Sequence, residues 1–379
     1  MLNPLDAVLT KALATTGLPG LAAMAATRDG IIHAGAVGER APGQPMTTDS
    51  VARIASMTKA VTTIVALRLV ERGLLTLDDP ICDVLPELVE PMVLERFGID
   101  GNPIMHKATN PITLRQLLTH TAGFGYGRWN QPLLHLETAR KTPRIPTNSE
   151  ELRNTPILFE PGTKWNYGIN TDVVGRACEV VSGRGLDVLV ADEITGPLGM
   201  ADTKFITTPE MEARRITQYQ RSSANVLTAS KVSVPTTMPF MCGGGGLHST
   251  PSDYMKFVQA ILAGTILGPE MFAEMTKPQT GELNMLPMIT AVPAESCDLH
   301  VYPEMDVKWS LGFMMNMEQT EEGRSAGSLA WAGLCNTYYW IDLKRGVTGV
   351  FFAQLLPFAD PATLQAFAAY EAAVYRSLG

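Results

Sequence analysis

The sequence predicts an α/β (α+β) protein in which one antiparallel sheet, built from both ends of the chain and flanked by helices, is interrupted by an inserted, mostly helical lobe. Three observations predict this. Strand-like apolar runs occur near the start, in "LAAMAATRDGIIHAGAVG", and return after residue 307. Between them, short helical patterns alternate with loops rich in Pro and Gly. The chain, at 379 residues, can bury a large core, and it contains no internal repeat. Residues 1–75 and 230–379 are therefore expected to form the sheet domain and residues 76–229 the lobe, with the active site between them.

Residues 5–16 read as a helix. The run that follows reads as a hairpin whose two apolar segments join at Asp29-Gly30. From Ser56 the segment "SMTKAVTTIVALRLVERG" continues without a breaker to Gly73, and its wide apolar face predicts a largely buried helix with a glycine stop. In the middle region "TLRQLLTH", "TDVVGRACEVVSG" and "LDVLVADEI" have helical patterns, and few runs look like strands. "GGGGLHSTPSDYMKFVQAIL" is a loop entering a helix. The runs "WSLGFMMNM", "SLAWAG", "NTYYWIDL" and "VTGVFFAQLL" then read as strands, and "PATLQAFAAYEAAVYRSLG" reads as a closing amphipathic helix.

Composition excludes several function classes. Hydrophobic residues make up 45% and charged residues 18%, and no apolar run reaches the length of a membrane span. A net charge of −8 without a clustered Lys/Arg stripe argues against nucleic acid and favours small-molecule partners. The N-terminal stretch lacks the pattern of a secretory signal, so cytoplasmic residence is expected. Cys82, Cys178, Cys242, Cys297 and Cys335 are odd in number, scattered and without Cys-x-x-Cys, which fits reduced thiols. His33, His106, His120, His135 and His248 are likewise not spaced as metal ligands, and no metal or cofactor is implied.

Two serines compete for the role of nucleophile. "GRSAG" places Ser325 in the Gly-x-Ser-x-Gly pattern of many lipases, but that reading needs a strand-to-helix turn and a histidine further along. The last histidine is His300 and the segment leads into a strand, so Ser325 is expected to sit in a surface turn. "SMTK" offers Ser56 and Lys59 instead. As a plain helix N-cap this serine would be best followed by Glu or Gln at the third position, whereas Lys59 puts a cation where the helix dipole is already positive. Something should compensate that charge. Positions i and i+3 share a helix face, so the amine lies beside the hydroxyl, and burial and dipole both favour its neutral form. Such a lysine can take the serine proton or stabilise an anion that does.

"RIASMTKAVTTIVALRLVERGLLTLDDPI", "ITLRQLLTHTAGFGYG", "FEPGTKWNYGINTDVVGRACEVVSG", "GGGGLHST" and "WAGLCNTYYW" follow one another in this order. Together they resemble the serine β-lactamase and penicillin-binding-protein superfamily, and within it the class C β-lactamase-like family VIII carboxylesterases, over nearly the whole chain. The resemblance implies Ser56 as nucleophile, Lys59 as its partner and Tyr167 as the third catalytic group, general base and then general acid. It also implies that "WAG", Trp331, Ala332 and Gly333, is the strand triad beside the substrate, and that the amides of Ser56 and Leu334 form the oxyanion hole. Tyr126 and Asn170 are the further substrate-binding candidates. His120 matches a structural position, and the run Gly243 to Gly246 reads as close backbone packing rather than a phosphate loop.

Two departures bear on specificity. Gly168 and Ile169 stand where β-lactamases commonly carry Ser-Asn, which removes a group for an acylamide side chain and leaves Asn170 one position later. Asn336 stands where the esterases often have Gly, either narrowing the entrance or adding a polar contact. Trp331 replaces the cation with which β-lactamases hold a carboxylate; it is either a core residue or a wall of the acyl pocket. The resulting expectation is a serine carboxylesterase for neutral short-chain esters, working through an acyl-enzyme. The alternatives are a β-lactamase, D-aminopeptidase or acyltransferase with the same machinery, or a non-catalytic acyl or peptide receptor on this fold.

Overall fold

A computed structural model describes residues 3–230 and 240–379. Helix α1 (Pro4–Thr16) is capped by the Asn3 side chain and ends at Gly17 in the left-handed region. It leads into the expected hairpin, β1 (Gly20–Thr27) and β2 (Gly30–Ala41), which is followed by the short β3 (Gln44–Pro45). Next come α2 (Thr58–Glu71), α3 (Asn170–Ser182) and α4 (Pro251–Leu262). The chain then adds β4 (Val307–Trp309), β5 (Met314–Asn316), β6 (Leu329–Gly333), β7 (Thr337–Asp342) and β8 (Val347–Phe352), and closes with α5 (Pro361–Ser377).

The eight strands form one antiparallel sheet in the order β4-β5-β6-β7-β8-β1-β2-β3, so that β8 zips onto β1 and the two ends of the chain meet. Strands β7 and β8 are buried along their whole length, and their side chains alternate between two helical layers. Tyr339 points to one side and meets Tyr254 of α4, whereas Tyr338 and Trp340 point to the other and meet Phe367 of α5. Helices on both faces explain why these strands read as continuous apolar runs.

The region between β3 and β4 carries more strand than its sequence suggests. Met92–Phe97 pairs with Pro103–Lys107, and Tyr219–Arg221 with Leu227–Ala229. "WSLGFMMNM" is two strands, because Gly312 turns the chain at φ 85° between them. Among the described residues no helix is long and apolar enough to cross a membrane.

Candidate active site

The site is assembled where the start of α2 meets the end of β6. The approach to Ser56 is fixed from several sides. Ala52 and Arg53 pair with Ser249 and His248, and the Ile54 amide donates to the Leu247 carbonyl at 3.2 Å. Ala55 has φ 44°, a left-handed conformation for a residue with a Cβ, which throws Ser56 outward from a short 3-10 turn into α2. Tyr254 donates to the Met57 carbonyl at 2.9 Å. No side chain caps α2, so Ser56 is not serving as a helix cap.

Lys59 is 1% exposed, and its Nζ has three partners, one for each proton of an ammonium rather than the neutral amine expected from burial and dipole: Ser56 Oγ at 3.4 Å, Tyr126 Oη at 3.1 Å and the Gly244 carbonyl at 2.7 Å. The carbonyl comes from the glycine run, which packs tightly enough that a Cβ on Gly243 would lie 2.8 Å from the Thr171 carbonyl. Tyr167 lies on the other side of the lysine, with Nζ 4.8 Å from its ring centre, and its hydroxyl accepts from Trp331 Nε1 at 2.9 Å. The structure thus brings Ser56, Lys59, Tyr167 and Trp331 together.

The two tyrosines around Lys59 have different surroundings. Tyr126 is buried and its hydroxyl donates to Asp172 Oδ2 at 3.4 Å; burial first, and then this carboxylate, hold its pKa well above the usual phenol value. The Tyr167 oxygen faces an indole N–H instead. Tyr126 therefore holds the lysine through its hydroxyl. His120, with φ 58°, packs against Tyr167 with tilted rings 4.7 Å apart, and burial followed by the nearby Lys59 holds it well below the usual imidazole range.

Two other residues singled out in the sequence, Asn170 and Asn336, are fully buried. Asn170 is fully buried, and its amide donates to His120 Nδ1 at 2.9 Å, so it sits one layer behind Tyr167. Asn336 neither narrows an entrance nor faces one. It is a fully buried turn residue at φ 57° whose amide donates to the carbonyls of Leu355 at 2.9 Å and Pro357 at 2.8 Å. Ser325 lies in a turn, but a buried one rather than a surface one: its N–H donates to Asp342 Oδ2 at 2.8 Å and its carbonyl accepts from Asn316 at 2.9 Å.

On the sheet side, Trp331, Ala332 and Gly333 end β6, and Leu334 follows, partly buried. Trp331 is 6% exposed within an aromatic cluster that includes Tyr167 at 4.9 Å and Trp309 at 4.8 Å, so it is at once a core residue and a neighbour of Tyr167. A Cβ on Gly333 would overlap the Ile54 carbonyl oxygen, which shows how closely this edge approaches the Ser56 turn. Trp129, which the sequence reading did not single out, packs edge-on against Tyr167 with ring centres 5.5 Å apart and edge-on against Phe358. Among the described residues no group of three or more His, Cys, Asp or Glu could hold a metal ion.

The chain is 32% identical to monacolin J acid methylbutanoyltransferase of Aspergillus terreus (strain NIH 2624 / FGSC A1156), over 87% of this chain and 83% of that one. It is 30% identical to lovastatin esterase of Penicillium rubens, over 91% of each. Among solved structures, unliganded simvastatin synthase from Aspergillus terreus superimposes with a TM-score of 0.83 at 30% identity, over 98% of this chain and 97% of that one. These relatives accord with a serine-hydrolase-type enzyme on a β-lactamase-like fold. The model of the family described as Beta-lactamase matches residues 5–373, and with that match over almost the whole chain the protein belongs to the beta-lactamase family.

Proposed function

We propose that the protein is a serine carboxylesterase that cleaves neutral short-chain esters through an acyl-enzyme. The observation that carries this reading is the buried Lys59 ammonium, held on Tyr126 and Gly244 with Ser56 Oγ as its third partner. In this mechanism Tyr167 acts as its phenolate: Ser56 Oγ bonds to the ester carbonyl carbon while its proton passes to the Tyr167 oxygen and the carbonyl π electrons move onto the ester oxygen. Tyr167 then gives that proton to the departing alkoxide as its bond to the carbonyl carbon breaks. The negative charge that returns to the Tyr167 oxygen in this second step meets the Trp331 N–H and the nearby ammonium. The amides of Ser56 and Leu334 are assigned to the oxyanion, and water repeats the sequence to release the acid.

Specificity for neutral esters is supported by Trp331 standing where a carboxylate-binding cation would be needed. A penicillin carboxylate set against an indole loses water without gaining a partner, at about 1–3 kcal/mol. A second reading, acyl transfer, is favoured by one observation: the relatives include a methylbutanoyltransferase as well as an esterase. Both reactions share the acyl-enzyme and differ in whether an alcohol or water accepts the acyl group.

One experiment tests both. Turnover of an aryl butyrate, a long-chain ester and a chromogenic cephalosporin is measured with and without a competing alcohol, and the labelled residue is located by mass spectrometry after a fluorophosphonate probe. Highest kcat/KM on the butyrate and label on Ser56 are expected. A preference for the cephalosporin refutes the esterase reading, and butyryl transfer exceeding hydrolysis at millimolar alcohol replaces it with the transferase.

A further inference from the structure

Asp172 is 2% exposed, lies in the first turn of α3, and accepts three hydrogen bonds. Its Oδ1 receives the Gly244 N–H at 2.9 Å and the Cys242 thiol at 2.8 Å, and its Oδ2 receives the Tyr126 hydroxyl at 3.4 Å. Gly244 and Tyr126 are also the two groups, besides Ser56, that hold the Lys59 ammonium. Both tethers of the lysine thus end on one carboxylate.

We propose that Asp172 is a positioning residue that aims the Lys59 ammonium at Ser56 by fixing both Tyr126 and Gly244. The inference rests on the serine-hydrolase reading above. An ammonium has three protons. Because Tyr126 gives its own proton to Asp172, its oxygen is left to accept from Lys59; because Asp172 anchors the Gly244 N–H, the loop is held where the Gly244 carbonyl, on the following peptide, accepts a second proton. The third proton is left for Ser56 Oγ. The carboxylate touches no reacting atom and acts only through these two partners. Helix geometry favours its placement, since the N-terminus of α3 is the end where a negative charge is stabilised. The Cys242 thiol, whose pKa is raised by burial and then by Asp172, stays protonated and serves as a third donor.

An amide at this position offers one acceptor oxygen where the carboxylate offers two, so Asp172→Asn must release Tyr126 or the Gly244–Cys242 pair. The test uses the full chain as wild type, D172N, Y126F and the double variant, with four readouts: fluorophosphonate labelling rate at Ser56, kcat and KM on an aryl butyrate, and the thermal melt. D172N is expected to slow labelling and kcat roughly 10- to 100-fold through misplacement of the amine, with KM little changed. Y126F slows both as well, and the double variant is no slower than D172N, because both changes act on one ammonium. Labelling of D172N at the wild-type rate, or losses in the two single variants that multiply in the double, overturns the proposal. Should D172N fail to melt cooperatively, Y126F decides: a slower rate with an unchanged melt supports the proposal and a wild-type rate overturns it. No label on wild-type Ser56 rejects the hydrolase reading itself, whereas normal wild-type labelling matched by D172N rejects this inference alone.

Discussion

Gly333→Ala tests whether β6 and the Ser56 turn act as one rigid unit. The added Cβ would lie 3.0 Å from the Ile54 carbonyl carbon and closer still to its oxygen and to Thr337 Oγ1. Ordinary carbon contacts are near 3.5–4.0 Å, so the strand end must retreat by about 1 Å. Rotating a side chain does not relieve this overlap, because the obstacle is backbone. Overpacking of this kind costs about 1–3 kcal/mol of stability. If Leu334, the next residue, supplies an oxyanion amide, its retreat removes one donor and lowers kcat by about 10²- to 10³-fold. Gly327→Ala is the control: Gly327 has φ 83° with no atom within 4 Å of an added Cβ, so its cost is backbone strain away from the cleft. Steady-state hydrolysis of an aryl butyrate and a thermal melt are measured for both variants. The reasoning is refuted if G333A retains kcat within about threefold of wild type while melting at a lower temperature, because that combination shows the strand moving without consequence for the chemistry.

Trp331→Phe keeps an aromatic ring but removes the N–H that meets the Tyr167 hydroxyl at 2.9 Å; a bond to a developing charge is worth about 1.5–3 kcal/mol, so kcat should fall about 10- to 100-fold with KM nearly constant. Unchanged kcat would remove the indole from the mechanism. Ser56→Ala should abolish turnover, and Ser325→Ala, altering a turn held through its backbone by Asp342 and Asn316, should leave kcat intact in the same assay. Glu137 gives a pH test: burial raises its folded pKa from 4.5 to about 7, so the folded state binds its proton more tightly than the unfolded chain does. That contribution is fully present below pH 4.5 and is lost as pH rises towards 7. Glu137→Gln should therefore raise the melting temperature at pH 8 relative to wild type and do so less at pH 5; an equal shift at both would reject the assignment.

Much of the fold is legible because hydrophobic periodicity and turn residues agree with it. The first hairpin turns through Arg28-Asp29, one residue before the expected Asp29-Gly30, so that Gly30 opens β2, and α2 ends where Gly73 takes φ 70°. The Met92–Phe97 hairpin is harder to read because Pro91, Gly98, Gly101 and Pro103 interrupt its pattern, and its pairing includes a bulge between Leu94 and Arg96. Ser325 and Asn336 show a different limit. Polar residues in a turn look exposed, yet each is buried here with its hydrogen bonds supplied by distant segments. At the site, Ser56, Lys59 and Tyr167 are proposed from the sequence, and the structure brings them together. The contacts of Tyr126 and Asp172 with this group are not legible in the sequence, because they depend on which side chains converge from separate segments.

The misplaced charge of Lys59 shows how a local inconsistency becomes intelligible in three dimensions. A cation in the first turn of α2 opposes the helix dipole, and nothing near it in sequence compensates. The compensation comes from α3, packed against α2, which presents an acidic residue in its own first turn. Between the cation and the anion lie a tyrosine hydroxyl, hydrogen-bonded to both, and Gly244, whose N–H meets the carboxylate while its carbonyl, on the next peptide, meets the ammonium. A direct Lys–Asp pair would spend the ammonium's protons on the carboxylate and hold it away from the serine. Interposing Tyr126 and Gly244 stabilises the charge through polarised hydrogen bonds while leaving one proton directed at Ser56 Oγ. Read alone, Asp172 is an ordinary first-turn acid and Lys59 an unfavourable first-turn base; packed together, the two helix starts turn that mismatch into an oriented amine.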